Sequence, residues 1–124
     1  LKFTKVLARL EHVMPPDVLI RTDTSFVRLS PRDVRYVEVK GHHCVYHTAS
    51  GEYRQYQTMK SAESALAGQG FVRCNSFLLV NLTHVDRIDG MNVIVGGEPL
   101  QISHPKRKAF TDAFVRFMET KRYE

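Results

Sequence analysis

The chain has 124 residues, 43% of them hydrophobic and 25% charged, which fits one folded domain with a buried core. Its formal net charge of +5 favours an anionic partner such as nucleic acid. No apolar run approaches the roughly 20 residues that span a bilayer, and the amino end lacks the long apolar core of a signal peptide.

The amino-terminal residues predict a helix that connects two parts of a longer protein. Apolar residues recur on one helical face, at Val6, Leu7 and Leu10. The Pro15-Pro16 pair would end that helix. Because the chain begins at Leu1 rather than Met, we expect residues 1–14 to be a linker helix from a missing N-terminal regulatory domain. Residues 15–124 would be the domain that follows it.

Short strand-like segments then succeed one another, separated by turn-forming Gly, Pro, Asp and Ser residues. We expect Val34, Val39 and one of Tyr36 or Val37 to point inward. The sequence predicts too few helices to serve as crossovers between parallel strands. They therefore predict a mainly β fold of short, mostly antiparallel strands in small packed sheets. The predicted strands are Val18–Thr22, Phe26–Leu29, Val34–Val39, Cys44–Thr48, Tyr53–Gln57, Phe71–Cys74, Phe77–Asn81, Val85–Asp89, Asn92–Val95 and Leu100–Ser103.

Two helices are predicted among and after these strands. Thr58 can cap a short helix that Gly68 and Gly70 would end. A longer amphipathic helix follows Pro105, and its apolar stripe predicts core packing rather than a cofactor site. That stripe consists of Phe110, Ala113, Phe114, Phe117 and Met118. The opposite face is basic, with Lys106, Arg107, Lys108, Arg116, Lys121 and Arg122.

The sequence contains no recognisable catalytic or metal-binding motif. GxSxG, P-loop, GxGxxG and HExxH patterns are all missing. His43 and His47 would share one face of a strand, but roughly 13 Å apart, too far to bind one ion. Cys44 and Cys74 form neither a CxxC pair nor a disulfide framework, and as buried small hydrophobes they suit a reducing cytoplasm. We therefore predict that this domain is no enzyme and needs no cofactor or metal.

Three polar clusters interrupt the apolar strands. They are Gly41-His42-His43, Arg73-Cys74-Asn75-Ser76 and Ser103-His104-Pro105-Lys106-Arg107. Each cluster alone could consist of ordinary turn residues. On a basic chain without catalytic motifs, the three together predict a DNA-contacting edge, because such side chains bond base edges and phosphates. The candidate DNA-binding residues are His42, His43, Arg73, Asn75, Ser76, Ser103, His104, Lys106 and Arg107. Arg73 has a structural alternative, pairing within the domain.

The chain resembles the LytTR domain, the DNA-binding output module of many bacterial two-component response regulators. The run Phe71–Asn81 is similar to the family signature F-x-R-x-H-x-S-x-x-V-N. Val34–Glu38 resembles the family's I-x-Y-I-E strand, Tyr46–Thr48 its I-H-T, and Leu100–Ser103 its I-P-V-S-R. These matches cover roughly residues 17–120, in the family's order.

The resemblance implies a fold of about ten strands that binds DNA through loops rather than a recognition helix. The loops enter successive major grooves and cross the minor groove between them. In this chain the implied contact regions are Gly41-His42-His43, then Asn75-Ser76, and then residues 104–107.

Four positions depart from the family pattern. The usual serine of the signature falls at Phe77, and the usual histidine falls at Asn75. The arginine pair after Ser103 is replaced by His104-Pro105. Because the apolar frame is intact, we expect an altered sequence preference rather than a loss of binding.

The resemblance also implies partners. We expect sequence-specific binding of double-stranded DNA at promoter repeats, as a homodimer, in the bacterial cytoplasm. A histidine kinase would act on a missing receiver domain in a phosphorelay, and this domain would not touch the membrane. The alternative is a basic, β-rich protein-interaction module that does not bind DNA.

Overall fold

Ten strands in three antiparallel sheets dominate the protein, which confirms the predicted mainly β fold. The computed structural model describes residues 16–121, so the linker helix predicted over residues 1–14 lies outside the described residues. The strands are β1 (Val18–Arg21), β2 (Phe26–Leu29), β3 (Val34–Lys40), β4 (His43–Thr48), β5 (Gly51–Tyr56), β6 (Phe71–Asn75), β7 (Leu78–Asn81), β8 (Val85–Asp89), β9 (Asn92–Val95) and β10 (Glu98–Gln101).

A five-stranded sheet in the order β5-β4-β3-β7-β6 forms the middle of the domain. Val37 pairs with Leu79 and Tyr36 pairs with Val80 across the β3–β7 ladder. All four residues are buried, although neighbours along a strand point to opposite faces. The prediction that only one of Tyr36 and Val37 points inward is therefore wrong, because both faces of this sheet are covered. Val39 is only half-buried.

Two hydrophobic clusters lie on the two faces of this sheet. One joins the sheet to the β1–β2 hairpin and the first helix, and the other joins it to the β8–β9–β10 sheet and the last helix. Ile20, Val37, Tyr46, Leu66 and Leu79 belong to the first cluster. Tyr36, Val80, Val93, Ile102 and Phe110 belong to the second.

Helix α1 (Met59–Ala65) begins as predicted, with the Thr58 hydroxyl accepting a hydrogen bond from the Ser61 N–H at 3.1 Å. Helix α2 (Arg107–Lys121) packs against β6. Its Phe110 is fully buried, but Met118 is 49% exposed. The predicted stripe is therefore wrong at Met118, although its neighbour Phe117 still packs against the second cluster. Neither helix is long and apolar enough to cross a membrane, within the residues that the structure describes.

Strand β10 begins earlier than the apolar pattern predicts. Pairing with β9 starts at Glu98, opposite Val95, and ends at Gln101, opposite Asn92. Ile102 and Ser103 leave the ladder because their N–H groups donate to Met91 O and Cys74 O. The predicted strand Leu100–Ser103 is therefore wrong at both ends.

Asn81 is a buried polar residue that joins β7 to the segment before β3. Its side chain is 1% exposed. Its Nδ2 donates to Pro31 O at 3.1 Å and to Val34 O at 2.9 Å. Its Oδ1 accepts from the Thr83 N–H at 3.0 Å. Both the amide nitrogen and the amide oxygen therefore hydrogen-bond the backbone of neighbouring segments. These bonds explain why an asparagine stands at the end of an apolar strand.

We expect Asn81→Ala to lower the free energy of unfolding by about 2–4 kcal/mol, since it removes three hydrogen bonds, two of them in the buried interior. Asn92→Ala is the matched control, because Asn92 is exposed, and it should change stability by less than about 0.5 kcal/mol. Urea denaturation of both variants measures the difference. Equal effects of the two substitutions would contradict the role assigned to Asn81.

Candidate nucleic-acid interface

Two of the predicted polar clusters meet at one end of the five-stranded sheet. Glu38 of β3 lies opposite Leu78 of β7, so the β3–β4 turn and the β6–β7 turn are neighbours. The Val39 N–H donates to Phe77 O at 2.9 Å and ties the end of β3 to the second turn. Residues that are distant in sequence are thereby held side by side at this end.

The third cluster, between β10 and α2, is attached to the same end. Asn75 Nδ2 donates to Gln101 O at 2.7 Å, and the Ser103 N–H donates to Cys74 O at 2.9 Å. Both bonds link the carboxyl end of β6 to the segment after β10. The three clusters therefore lie on one side of the domain.

A fourth connection, the β8–β9 turn, also belongs to this end. The Ile102 N–H donates to Met91 O at 2.7 Å, and Arg107 Nε donates to Gly90 O at 2.9 Å. Asp89-Gly90 marks a turn in the sequence, but only the packing of the two sheets places that turn beside the other three. We call this end of the domain the rim, and it consists of residues 40–43, 56–57, 75–78, 89–92 and 101–107.

The β3–β4 turn presents histidines beside an exposed tyrosine. His42 is exposed, and its ring centroid lies 6.1 Å from that of Tyr56. His43 is half-buried as the first residue of β4, with Tyr56 edge-on at 5.6 Å and Arg54 Nη2 at 3.4 Å from its Nδ1. A backbone hydrogen bond holds the turn in place, since the Gln57 N–H donates to His42 O at 3.1 Å.

Four of the candidate side chains are available on the rim. Ser76 and His104 are exposed, while Ser103 and Lys106 are half-buried. None of the four side chains makes a hydrogen bond to another residue of the described range 16–121. Residues His104–Lys106 form a single turn of 3-10 helix that leads into α2. These side chains can bind an external partner without first breaking an internal bond.

Three other candidates are engaged within the domain. Arg73 forms an ion pair with Glu63 of α1, and its side chain is 27% exposed. Asn75 uses both ends of its amide, because its Oδ1 also accepts from the Phe77 N–H at 2.8 Å. Arg107 donates its Nε to the β8–β9 turn. The geometry favours the structural alternative for Arg73 and gives Asn75 and Arg107 a positioning contact.

The rim carries more cations than anions, since Lys40, Lys106 and Arg107 outnumber its single acid, Asp89. Lys40 adds a cation to the rim and was not among the candidates. Its side chain is 57% exposed, and its Nζ lies 3.8 Å from Glu38 Oε1. At the opposite end lies an open cavity of about 610 Å³ whose lining mixes acids and bases. That lining includes Arg28, Asp33, Arg35, His84 and Asp86.

Comparison with known proteins identifies the fold and the family. The family model described as the LytTr DNA-binding domain matches residues 24–114. This chain belongs to the LytTR family of DNA-binding domains. A solved structure described as the LytTr DNA-binding domain of a putative methyl-accepting/DNA response regulator from Bacillus cereus superposes with a TM-score of 0.68. The two chains share 18% identity over 78% of this chain and 94% of that chain. No curated protein matches the sequence.

The cysteines of this LytTR domain are built into its core. Cys44 and Cys74 are fully buried, and burial raises the pKa of each thiol to about 11. Cys44 Sγ donates to Gln57 O at 3.4 Å, and Cys74 Sγ donates to Gln101 O at 3.5 Å. Thiols that stay protonated and inaccessible are poor nucleophiles. Both cysteines instead hydrogen-bond the backbone of rim residues, Gln57 and Gln101.

The histidines of this LytTR domain do not gather into a metal centre. His47 bonds Glu38 Oε1 at 3.0 Å and Glu52 Oε1 at 3.3 Å, and its ring stacks on Tyr36 at 4.1 Å. Across residues 16–121, no group of three or more His, Cys, Asp or Glu side chains could hold a metal ion.

Proposed function

We propose that this LytTR domain binds double-stranded DNA sequence-specifically, as the output domain of a bacterial response regulator that controls transcription. The observation that carries this proposal is the rim, where hydrogen bonds hold four chain connections at one end of the domain. Side chains on these connections point away from a rigid scaffold, which is the usual arrangement of a binding surface.

The dimensions of the rim suit DNA grooves. The β3–β4 turn and the β6–β7 turn are about two strand spacings apart, or roughly 10 Å. A major groove is about 12 Å wide, which is narrower than the two turns taken together with their own widths. Each groove can therefore admit one of the two turns. We assign base contacts to His42, His43, Ser76 and His104, which carry hydrogen-bonding groups at the tips of the connections.

The remaining candidates would bind the backbone or hold the reading side chains in place. We assign phosphate contacts to Lys40, Lys106 and Arg107, whose charges lie on the rim. Ser103 would assist through its hydroxyl. Arg73 and Asn75 would position the β6–β7 turn through their internal bonds rather than touch a base.

The proposal extends to the assembly of the regulator. Two copies on promoter repeats would raise affinity steeply, because one small module buries little DNA surface. Residues 1–14 would link the domain to a receiver that a histidine kinase phosphorylates. In this arrangement the protein works in the cytoplasm, and this domain makes no contact with the membrane.

Duplexes selected from a random DNA library test the proposal in a gel shift over a salt series. With about six phosphate contacts, three from each of two bound copies, the binding constant should fall about 10³-fold between 50 and 200 mM salt. Lys106→Ala should reduce the slope of log K against log salt by about 1.8, because each of the two copies releases one counterion fewer.

The matched control is Arg32→Ala, which removes an exposed cation at the opposite end of the domain and should leave that slope unchanged. A domain that selects no duplex and shows no salt-dependent shift is a protein-interaction module, and the proposal would then be wrong.

Replacing both His42 and His43 by Ala should weaken binding to a selected duplex by about 1–3 kcal/mol, because base contacts supply that much discrimination. Binding to random duplex should change much less. His84→Ala, at the opposite end, controls for the loss of a histidine. Equal losses on selected and random DNA would show that the two histidines position the protein without reading sequence.

A further inference from the structure

Tyr56, the last residue of β5, is an exposed aromatic side chain beside the β3–β4 turn. It is 76% exposed, and its hydroxyl makes no hydrogen bond to another residue of the described range 16–121. A single exposed aromatic residue is common on a protein surface and needs no explanation. Tyr56 differs from such a residue because strand pairing places it directly beside His43, to which a base contact is assigned.

The pairing of β3, β4 and β5 puts Lys40, His43 and Tyr56 in one row across the sheet. Lys40 lies opposite His43, and His43 lies opposite Tyr56. Residues that are directly opposite each other in antiparallel strands point to the same face of a sheet. The three side chains therefore form a row with the histidine at its centre. The two ends of the row are about two strand spacings, or roughly 10 Å, apart.

Contacts between rings hold the Tyr56 side chain beside this turn. The His43 ring meets it edge-on, with the ring centroids 5.6 Å apart, and the His42 ring lies tilted at 6.1 Å. Edge-on and offset arrangements at such distances stabilise pairs of aromatic rings. A side chain that is already held in this way loses little conformational freedom on binding, which favours a specific contact through its hydroxyl.

The width of this row is close to the width of one major groove. In the proposed function His43 reads a base edge inside a groove that is about 12 Å wide and has phosphates along both sides. The ends of a row of roughly 10 Å therefore lie near the two lines of phosphates. Lys40, with a side chain that is 57% exposed, supplies a positive charge at one end. Tyr56 supplies a neutral hydroxyl at the other end, and a hydroxyl can donate to a phosphate oxygen.

We propose that Tyr56 binds the DNA backbone, and that its hydroxyl donates to a phosphate oxygen beside the groove that His43 reads. The inference rests on the proposed function and adds a DNA-binding residue to it. Tyr56 was not among the candidates read from the sequence, where it belongs only to the predicted strand Tyr53–Gln57. Its place beside the histidines follows from the pairing of β4 with β5.

The experiment removes the hydroxyl alone and measures gel shifts on selected and random duplex over a salt series. Tyr56→Phe should weaken binding by about threefold to tenfold for each bound copy. The loss should be similar on both duplexes, because a phosphate contact carries no sequence information. The slope of log K against log salt should stay unchanged, since a neutral hydroxyl releases no counterion. Lys40→Ala, by contrast, should lower that slope by about 0.9 for each bound copy.

Tyr53→Phe is the matched control, since it removes a hydroxyl from the same strand. Tyr53 packs against the first cluster, and its hydroxyl lies 3.5 Å from Ser50 Oγ at the opposite end of the domain, so the affinity should not change. Ethylation of single phosphates in the selected duplex locates the contact. Tyr56→Phe should become insensitive to ethylation at one phosphate for each bound copy and stay sensitive at the others, as coupling between hydroxyl and phosphate requires. Thermal unfolding checks that each variant is folded.

The possible failures are distinguishable. If the wild-type domain shows no salt-dependent binding to either duplex, the proposed function itself is wrong. If Tyr56→Phe binds both duplexes as tightly as the wild-type domain, or keeps every sensitive phosphate, only the role of Tyr56 is wrong. A loss of affinity that is confined to the selected duplex would identify a base contact and would also overturn the phosphate assignment.

Discussion

The pairing of β3 with β7 is the interaction on which the rest of the domain depends. It joins two hairpins that are distant in sequence, and the Val39–Phe77 hydrogen bond continues it to the end of the ladder. Without this pairing the β3–β4 and β6–β7 turns would have no fixed relation to each other. The position of every proposed DNA contact follows from it, because the remaining connections attach to β6 and to the β8–β9 turn.

Burial on both faces makes that central pairing rigid. Tyr36 and Val80 face one hydrophobic cluster, while Val37 and Leu79 face the other. A sheet clamped in this way cannot slip in register without exposing one set of apolar side chains. Rigidity in the sheet allows short connections to present side chains accurately, and internal bonds such as those of Asn75 extend it into the rim.

Local patterns predict much of the fold, because alternation and turn residues act over a few positions. The strands Phe26–Leu29, Val85–Asp89 and Asn92–Val95 agree with the structure residue for residue. The start of β10 was missed because Glu98-Pro99 resembles a turn, and its pairing depends on β9. The partners of Arg73 and the place of the β8–β9 turn depend on packing between distant segments. No local pattern encodes them, so the sequence predicted three connections of the rim and missed the fourth.

The most direct test of the rim as the DNA-binding surface is a titration of the ¹⁵N-labelled domain with a selected duplex, followed by amide chemical shifts. The largest changes should fall on the rim, at residues such as His42, Ser76, Met91 and His104. Amides at the opposite end, such as those of residues 49–51 and 96–97, should change little. Changes centred on that opposite end, or on the β1–β2 hairpin, would show that the rim is not the DNA-binding surface.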